Sequence, residues 1–204
     1  MKTDPITKPP CLWHYGQPWL PQTEPGFAPG RVSIACKNDN LLIRAELSDA
    51  HVTTDSFPFN FPAFKQCDAF EIFLGPADEM VYYELHVTPS NSVLQLRFDN
   101  TEETNPLIEQ RVAKPLFSSE TSLTPGGWSV VARIPLKGLS LTSHPEWRLS
   151  FGRYDYTPGQ TKPAISSTSP HAICNFHCRE EWRWVRLADL SENFGAVPRF
   201  MGVK

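Results

Sequence analysis

Residues 67–87 of the chain read CDAFEIFLGPADEMVYYELHV and predict two β-strands joined by a short turn. Apolar side chains alternate along both segments, and several of the intervening positions carry polar groups, including Glu71, Glu84 and His86. Because successive strand side chains point to opposite faces, the pattern predicts one apolar face and one partly polar face. The polar face suits either a ligand-binding surface or a plain solvated surface, and the pattern alone favours the solvated surface.

The remainder of the chain repeats this arrangement of short alternating segments between turn signals. Further strands are predicted at 31–37, 41–47, 93–99, 111–117, 128–135, 146–154 and 182–187. Long helix-period segments are missing, and the 204 residues include 20 prolines. This profile is typical of an all-β protein, and we expect an antiparallel β-sandwich of the immunoglobulin or jelly-roll type.

We expect the chain to consist of two parts. Residues 1–30 are rich in proline and aromatic residues and predict an irregular arm that packs on a sandwich formed by residues 31–204. Trp13 and Trp19 in this arm suit packing against the sandwich, although either could stack on a ligand. Residues 155–170 are expected to form a polar loop, residues 99–106 a turn or loop, and the tail after Asp189 to be irregular.

Charge and composition narrow the classes of function. The net charge is −3 with no basic cluster, which argues against a nucleic-acid partner. No apolar run approaches the roughly 20 residues that span a bilayer, and the N-terminus shows no export signal. The five cysteines lack the spacing of a disulfide framework, so reduced thiols and a cytoplasmic location are expected.

Five fragments carry a resemblance to a known family. They are DAFEIFL (68–74), YYELHV (82–87), GWSVVARIP (127–135), EWRLSFGRY (146–154) and FHCREEW (176–182). In order and spacing they resemble the family 9 carbohydrate-binding modules, which are related to the DOMON-type sandwich domains. The resemblance spans residues 30–190 and implies the same sandwich fold.

The resemblance also implies a sugar site built from an acid, an arginine and aromatic rings. Its acid corresponds to Glu71, its arginine to Arg97, and the ring before the acid to Phe64. Arg153 matches an arginine at the end of the family's strand, although it equally suits a buried ion pair. The FH pair places His177 at the site.

The aromatic platforms are the part of the pattern from which this chain departs. A second ring, expected as a tryptophan, is replaced by Thr168, which leaves Trp182 or Phe176 to supply it. The loop before Glu71 contains alternating phenylalanines at 57, 59, 61 and 64. These rings suit either an edge strand buried on one side or an aromatic wall at the rim of a site.

We therefore expect a non-catalytic carbohydrate-binding protein, which could act beside a glycan-processing enzyme. One alternative is a degenerate sandwich that serves as a protein-interaction domain, which the threonine at 168 favours. A second is a haem-binding domain of the DOMON type, with Met80 and either His86 or His177 as axial ligands.

Catalytic and metal chemistry receive weaker support from the sequence. Glu71 and Glu84 could face the same side of neighbouring strands, but no GxSxG, P-loop or HExxH motif is present, and no enzyme is expected. No cofactor is expected either. Candidate zinc ligands are His171, Cys174, His177 and Cys178, and candidate calcium ligands are Asp49, Asp55 and Asp68.

Overall fold

The computed structural model describes residues 11–99, 109–139 and 144–194. Its strands are β1 (Cys11–His14), β2 (Gly30–Lys37), β3 (Asn40–Ser48), β4 (Ala69–Pro76), β5 (Tyr82–Val87), β6 (Val93–Phe98), β7 (Ser118–Thr124), β8 (Gly127–Pro135), β9 (Glu146–Asp155), β10 (Ala164–Ser167) and β11 (Arg183–Arg186). Short 3₁₀ turns at Ala63–Lys65, Leu136–Leu139, Arg179–Glu181 and Leu187–Asp189 complete the regular structure of these residues. No helix among them is long and apolar enough to cross a membrane.

The strands form two antiparallel sheets, so the predicted all-β sandwich is confirmed. The first sheet has the order β1-β2-β3-β8-β7, and the second has the order β10-β9-β4-β5-β6, with β11 also paired to β9. The core lies between them and includes Val32, Ile34, Leu41, Ile43, Phe70, Ile72, Leu74, Leu85, Trp128, Val130, Trp147, Leu149 and Phe151. Because side chains alternate along each strand, every second residue of β4 and β5 lies on the outer face of the second sheet.

The strand prediction fails at 111–117, and a glutamine explains why. Gln95 is buried in β6, and its side-chain amide donates to the backbone carbonyls of Val112 and Lys114 while its oxygen accepts from the Leu116 amide. Backbone groups that a sheet partner would otherwise satisfy are therefore bound by one side chain. The strand forms later instead, at Ser118–Thr124, where it pairs with β8.

Two segments expected to be irregular contain strands. In the N-terminal arm, β1 pairs with β2 at the edge of the first sheet and buries Trp13, whose ring lies 5.5 Å from that of Phe151. In the segment 155–170, β10 pairs with β9 and places four consecutive buried polar residues at 166–169. Short strands at a sheet edge carry little periodic signal, which is why alternation did not reveal them. The division of the chain at residue 30 stays a prediction, and residues 1–10, most of the loop 99–106 and residues 195–204 lie outside the described residues.

Arg153 lies on the inner face of β9, opposite Phe70 of β4, and its side chain is fully buried. Its guanidinium contacts the carboxylate of Asp155 at 2.8 Å and that of Asp49 at 3.6 Å. It also donates to the backbone carbonyls of Ala28 and Ser48. Arg153 therefore lies inside the sandwich and holds acidic side chains there, which is the buried ion pair that the sequence left open beside a ligand contact.

We expect Arg153→Met to lower the free energy of unfolding by about 3–5 kcal/mol, because it leaves buried carboxylates without their cation. Arg97→Met is the matched control, since the Arg97–Asp99 pair is half exposed and should change stability by less than about 1 kcal/mol. Urea unfolding of both variants measures the difference. Equal losses in the two variants would contradict the structural role assigned to Arg153.

Candidate functional site

A cavity of about 480 Å³ opens on the outer face of the second sheet. Its floor consists of outward-facing residues of β4, β5, β6, β9 and β10, and its walls come from the loops around residues 64, 110 and 174–177. The residues that line it are Phe64, Glu71, Phe73, Tyr82, Glu84, Phe98, Gln110, Tyr154, Ile165, Cys174, Asn175, Phe176 and His177. The volume falls within the range of small-molecule sites.

The outer face of β4 and β5 is buried rather than solvated, contrary to the interpretation that the alternating pattern favoured. Glu71, Glu84 and His86 are exposed by only 2%, 5% and 3%. Loops cover this face, and Phe73 packs there against Phe176 and Trp182. A sheet with both faces covered needs partners for every polar side chain that it buries.

Those partners form a row of alternating carboxylates and imidazoles. Glu71 lies opposite His86 in the β4–β5 register, and its Oε1 is 3.2 Å from Nδ1 of His86. Nε2 of His86 contacts Oε1 of Glu84, two residues earlier on the same strand. Oε2 of Glu84 lies 3.6 Å from Nε2 of His177, and Nδ1 of His177 is hydrogen-bonded to the hydroxyl of Tyr82 at 2.8 Å. We call this series the carboxylate–imidazole row.

The pKa values of the two carboxyl groups of the row are shifted in opposite directions. Burial raises the pKa of Glu71 to about 8, with the neighbouring Glu84 acting in the same direction and His86 against it. Burial also acts to raise the pKa of Glu84, but the charge and hydrogen bond of His86, together with His177, outweigh it and lower that pKa. Burial opposes the charged form of His86, yet the two carboxylates outweigh it and raise its pKa. Within the row, Glu84 therefore holds a negative charge more readily than Glu71 does.

Aromatic rings flank the row on two sides. Phe64 lies with its ring centre 5.0 Å from that of His86 and 5.4 Å from that of Tyr154. On the other side, Phe98 lies 5.4 Å from the ring of His177 and stacks on Tyr82 at 4.6 Å. The cavity thus combines apolar ring surfaces with acid, amide and imidazole groups.

The wall that contains His177 is held by contacts within the loop between β10 and β11. Glu181 accepts from the imidazole of His171 and from the backbone amide of Ala172. The indole of Trp182 donates to the carbonyl of Phe176 at 2.7 Å. Trp182, predicted as an aromatic platform, is 2% exposed and does not line the cavity, and it packs instead against Phe73 and Phe176.

Gly152 of β9 leaves the room that this arrangement needs. A Cβ atom at residue 152 would lie 2.7 Å from Oε2 of Glu71 and 2.7 Å from Cε2 of Phe176. Both distances are shorter than van der Waals contact, so any larger residue would displace the acid or the ring. No pattern in the sequence singles out this glycine, because the requirement comes from β4 and from the loop that covers it.

Of the six predicted ligand-binding residues, the structure brings three together in the cavity: Glu71, Phe64 and His177. Arg97 does not join them, because it pairs across the strands with Tyr83 and so lies on the opposite face of the sheet from Glu84. There it forms an exposed ion pair with Asp99 at 2.7 Å. The assignment of Arg97 to the site was one residue out of step with the alternation of β6.

Several cavity residues were not among the predicted ligand-binding residues. Glu84 and Tyr154 share the outer face with Glu71, and strand alternation could have identified both. Gln110 and Asn175 come from loops that have no periodic pattern, and no sequence signal was available for them. Thr168, which stands where the resemblance implies a tryptophan, is buried, and its hydroxyl accepts from the Phe151 amide.

The haem and zinc alternatives do not match the geometry. Met80 is 55% exposed and does not line the cavity, while both ring nitrogens of His86 face carboxylates. No three of His171, Cys174, His177 and Cys178 offer ligand atoms within 4.8 Å of one another. Their side chains have other partners, including Glu181 for His171 and Glu180 for Cys178.

The described residues contain two groups with metal-ligand spacing: Glu71, Glu84 and His86 in the cavity, and Asp49, Asp68 and Asp155 within the sandwich. The aspartates include two of the calcium candidates, whereas Asp55 is exposed and apart from them. Arg153 already supplies positive charge to this group. Asp68 also accepts from the Thr53 and Tyr156 amides. The aspartate group therefore fits a structural ion pair rather than a calcium site.

Comparisons with known proteins bear on the fold. No protein-family model matches the sequence, and no curated protein is significantly similar to it. Among solved structures, a protein from Bacteroides uniformis assigned as carbohydrate-binding has a TM-score of 0.69 at 15% identity, covering 87% of this chain and 86% of its own.

Two further structures are of family 9 carbohydrate-binding modules from Caldicellulosiruptor kristjanssonii. The complex with glucose has a TM-score of 0.61 at 16% identity, covering 95% of this chain and 92% of its own. The complex with cellotriose has a TM-score of 0.57 at 16% identity, covering 92% and 84%. The chain therefore has a fold like that of family 9 carbohydrate-binding modules, as the sequence resemblance implied.

We expect Gly152→Ala to destabilise the protein by about 1–3 kcal/mol, because the added methyl group must displace Glu71 or Phe176. Gly16→Ala is the matched control, since a Cβ atom there meets no atom within 4 Å. Chemical unfolding of both variants gives the comparison. If the two alanine variants are equally stable, the close packing described around residue 152 is wrong.

The raised pKa of Glu71 makes a prediction about pH. The unfolded chain releases this proton near the ordinary glutamate pKa, whereas the folded protein holds it up to about pH 8. The folded state therefore binds more protons in this window, and its stability should fall as the pH rises from about 5 to about 8. The raised pKa of His86 acts in the same direction.

Glu71→Gln removes the titrating group, so its stability should depend less steeply on pH across that window, by up to about one proton. The exposed Glu120→Gln serves as the control and should retain the wild-type slope. Thermal unfolding at a series of pH values measures all three proteins. A wild-type slope in the Glu71 variant would show that Glu71 is ionised in the folded protein.

Proposed function

We propose that the protein binds a carbohydrate in the cavity on the outer face of the second sheet. One observation carries the proposal: Phe64 and Phe98 flank a cavity that has Glu71 and Glu84 in its floor and His177 in its wall. A sugar ring offers C–H groups that settle on aromatic faces and hydroxyls that need hydrogen-bonding partners. The cavity supplies both kinds of surface, and structures with this fold hold glucose and cellotriose.

The positions of the two carboxyl groups support sugar binding without hydrolysis. A glycosidase needs two carboxyls that flank the scissile bond. Glu71 and Glu84 instead both contact the same imidazole, that of His86, and so belong to one side of the cavity. The charge of Glu84 is already engaged with His86, which suits it to accept hydrogen bonds from a ligand.

Phe64→Ala should lower the affinity for the best-bound sugar at least about tenfold, because it removes a ring that lines the cavity. Phe61→Ala is the matched control: Phe61 lies in the same loop, is 37% exposed and stacks on Phe57 outside the cavity lining. Titration calorimetry against glucose, xylose, galactose, hexosamines and cello-oligosaccharides gives the affinities.

Absence of binding to every sugar of the panel would contradict the proposed function and favour a protein-interaction domain instead. Equal affinities in the Phe64 and Phe61 variants would place the sugar elsewhere on the molecule. A thermal-shift measurement with each sugar provides an independent check, since a ligand that binds only the folded state must raise Tm.

A further inference from the structure

The cavity has an excess of acidic over basic groups. Glu71 and Glu84 both line it, and among its described lining residues there is no lysine or arginine. The two arginines assigned to the site from sequence lie on the other face of the sheet, Arg97 at the surface and Arg153 in the core. Among the described residues that line the cavity, His177 in its wall is the only basic side chain, and His86 lies behind its floor.

One of the two acids has no full counter-charge. The imidazolium of His86 is engaged by Glu84, to which its Nε2 is hydrogen-bonded. Its Nδ1 lies 3.2 Å from Glu71 but makes no hydrogen bond, although the His86 side chain is only 3% exposed. Glu71 consequently keeps its proton at neutral pH, as its raised pKa indicates.

A bound cation would complete this arrangement. A positive charge placed in the cavity beside Glu71 favours the ionised carboxylate, which in turn favours a hydrogen bond from Nδ1 of His86. Other groups that face Glu71 do not oppose a cation: Tyr154 on β9 is neutral because burial raises its pKa, and Gly152 presents no side chain.

The aromatic walls suit the same kind of ligand. An ammonium group is attracted to the faces of tyrosine and phenylalanine, and the attraction is larger where water is excluded. Phe64 and Tyr154 pack together on the Glu71 side of the cavity. An acidic sugar, by contrast, would meet two carboxyl groups in the cavity, and the ammonium of the exposed Lys65 lies outside the lining, 5.9 Å from the centre of the Phe64 ring.

We infer that the preferred ligand of the cavity is an amino sugar with a free amino group, whose ammonium pairs with Glu71. The inference rests on the proposed carbohydrate-binding function and names the class of sugar. Neutral sugars share the ring-stacking and hydroxyl contacts but lack the ion pair, so they bind more weakly.

Three sugars separate the charge from the remaining contacts. Glucosamine carries the ammonium, N-acetylglucosamine keeps the nitrogen without the charge, and glucose lacks both. At near-neutral pH and low salt, where much of the amine is protonated and deprotonating Glu71 costs less than at acidic pH, glucosamine should bind the wild-type protein at least about tenfold more tightly than glucose or N-acetylglucosamine. Titration calorimetry measures the three affinities.

Glu71→Gln should reduce the ratio of the glucosamine affinity to the glucose affinity to less than about threefold, because glutamine keeps a polar group but cannot ionise. Glu120→Gln, an exposed substitution away from the cavity, should keep the full preference. The comparison of sugars on the wild-type protein stands even if the Glu71 variant fails to fold.

Glucose affinity equal to or above glucosamine affinity would overturn the inference and leave the proposed function intact. A loss of both affinities to the same extent in a folded Glu71→Gln protein would also overturn it, because Glu71 would then act as an ordinary hydrogen-bonding group. If no sugar binds, the proposed function fails and the inference fails with it.

Discussion

The site depends on one constraint: β4 and β5 are buried on both faces. On the inner face this burial needs only apolar side chains, which Phe70, Ile72 and Leu85 supply. On the outer face it encloses Glu71 and His86, which the strand register places directly opposite each other. Isolated charges are costly to bury, so these groups persist there only as a mutually compensating set.

The second sheet therefore carries acidic groups on both of its sides, and the two sides are neutralised differently. Inside the sandwich, the guanidinium of Arg153 serves Asp49 and Asp155 and is tied to backbone carbonyls. Outside, the compensating charge is an imidazolium that one carboxylate engages by hydrogen bonding and the other only approaches. The inner arrangement is enclosed in the core, whereas the outer one lies at a cavity where a ligand can add charge.

The loops determine whether the outer face of β4 and β5 is exposed to water or forms a covered site. Without the segment that carries Phe176 and His177, the acids of β4 and β5 would face water and behave as ordinary surface groups. Because this segment covers the face, the two acids are buried beside aromatic rings, and the pKa of Glu71 is raised while that of Glu84 is lowered. The solved structures of similar fold share the sandwich at 15–16% identity, so the identity of the side chains on this face is where the chain can differ from them.

By itself the sequence determined the fold class and which side chains share the polar face of the first two predicted strands. Alternation over residues 67–87 placed Glu71, Glu84 and His86 on one face, because the two-residue period of a strand is a local property.

Tertiary structure decided the rest. Whether that face is solvated depends on loops distant in sequence, and the Gly152 requirement arises from two other segments. Arg97 and Arg153 are both strand residues, yet only the register and the position of each strand in the sheet show that they lie away from Glu71. Strand periodicity fixes the relative faces within a strand, but which face is covered, and by what, is set by contacts between segments that no local pattern encodes.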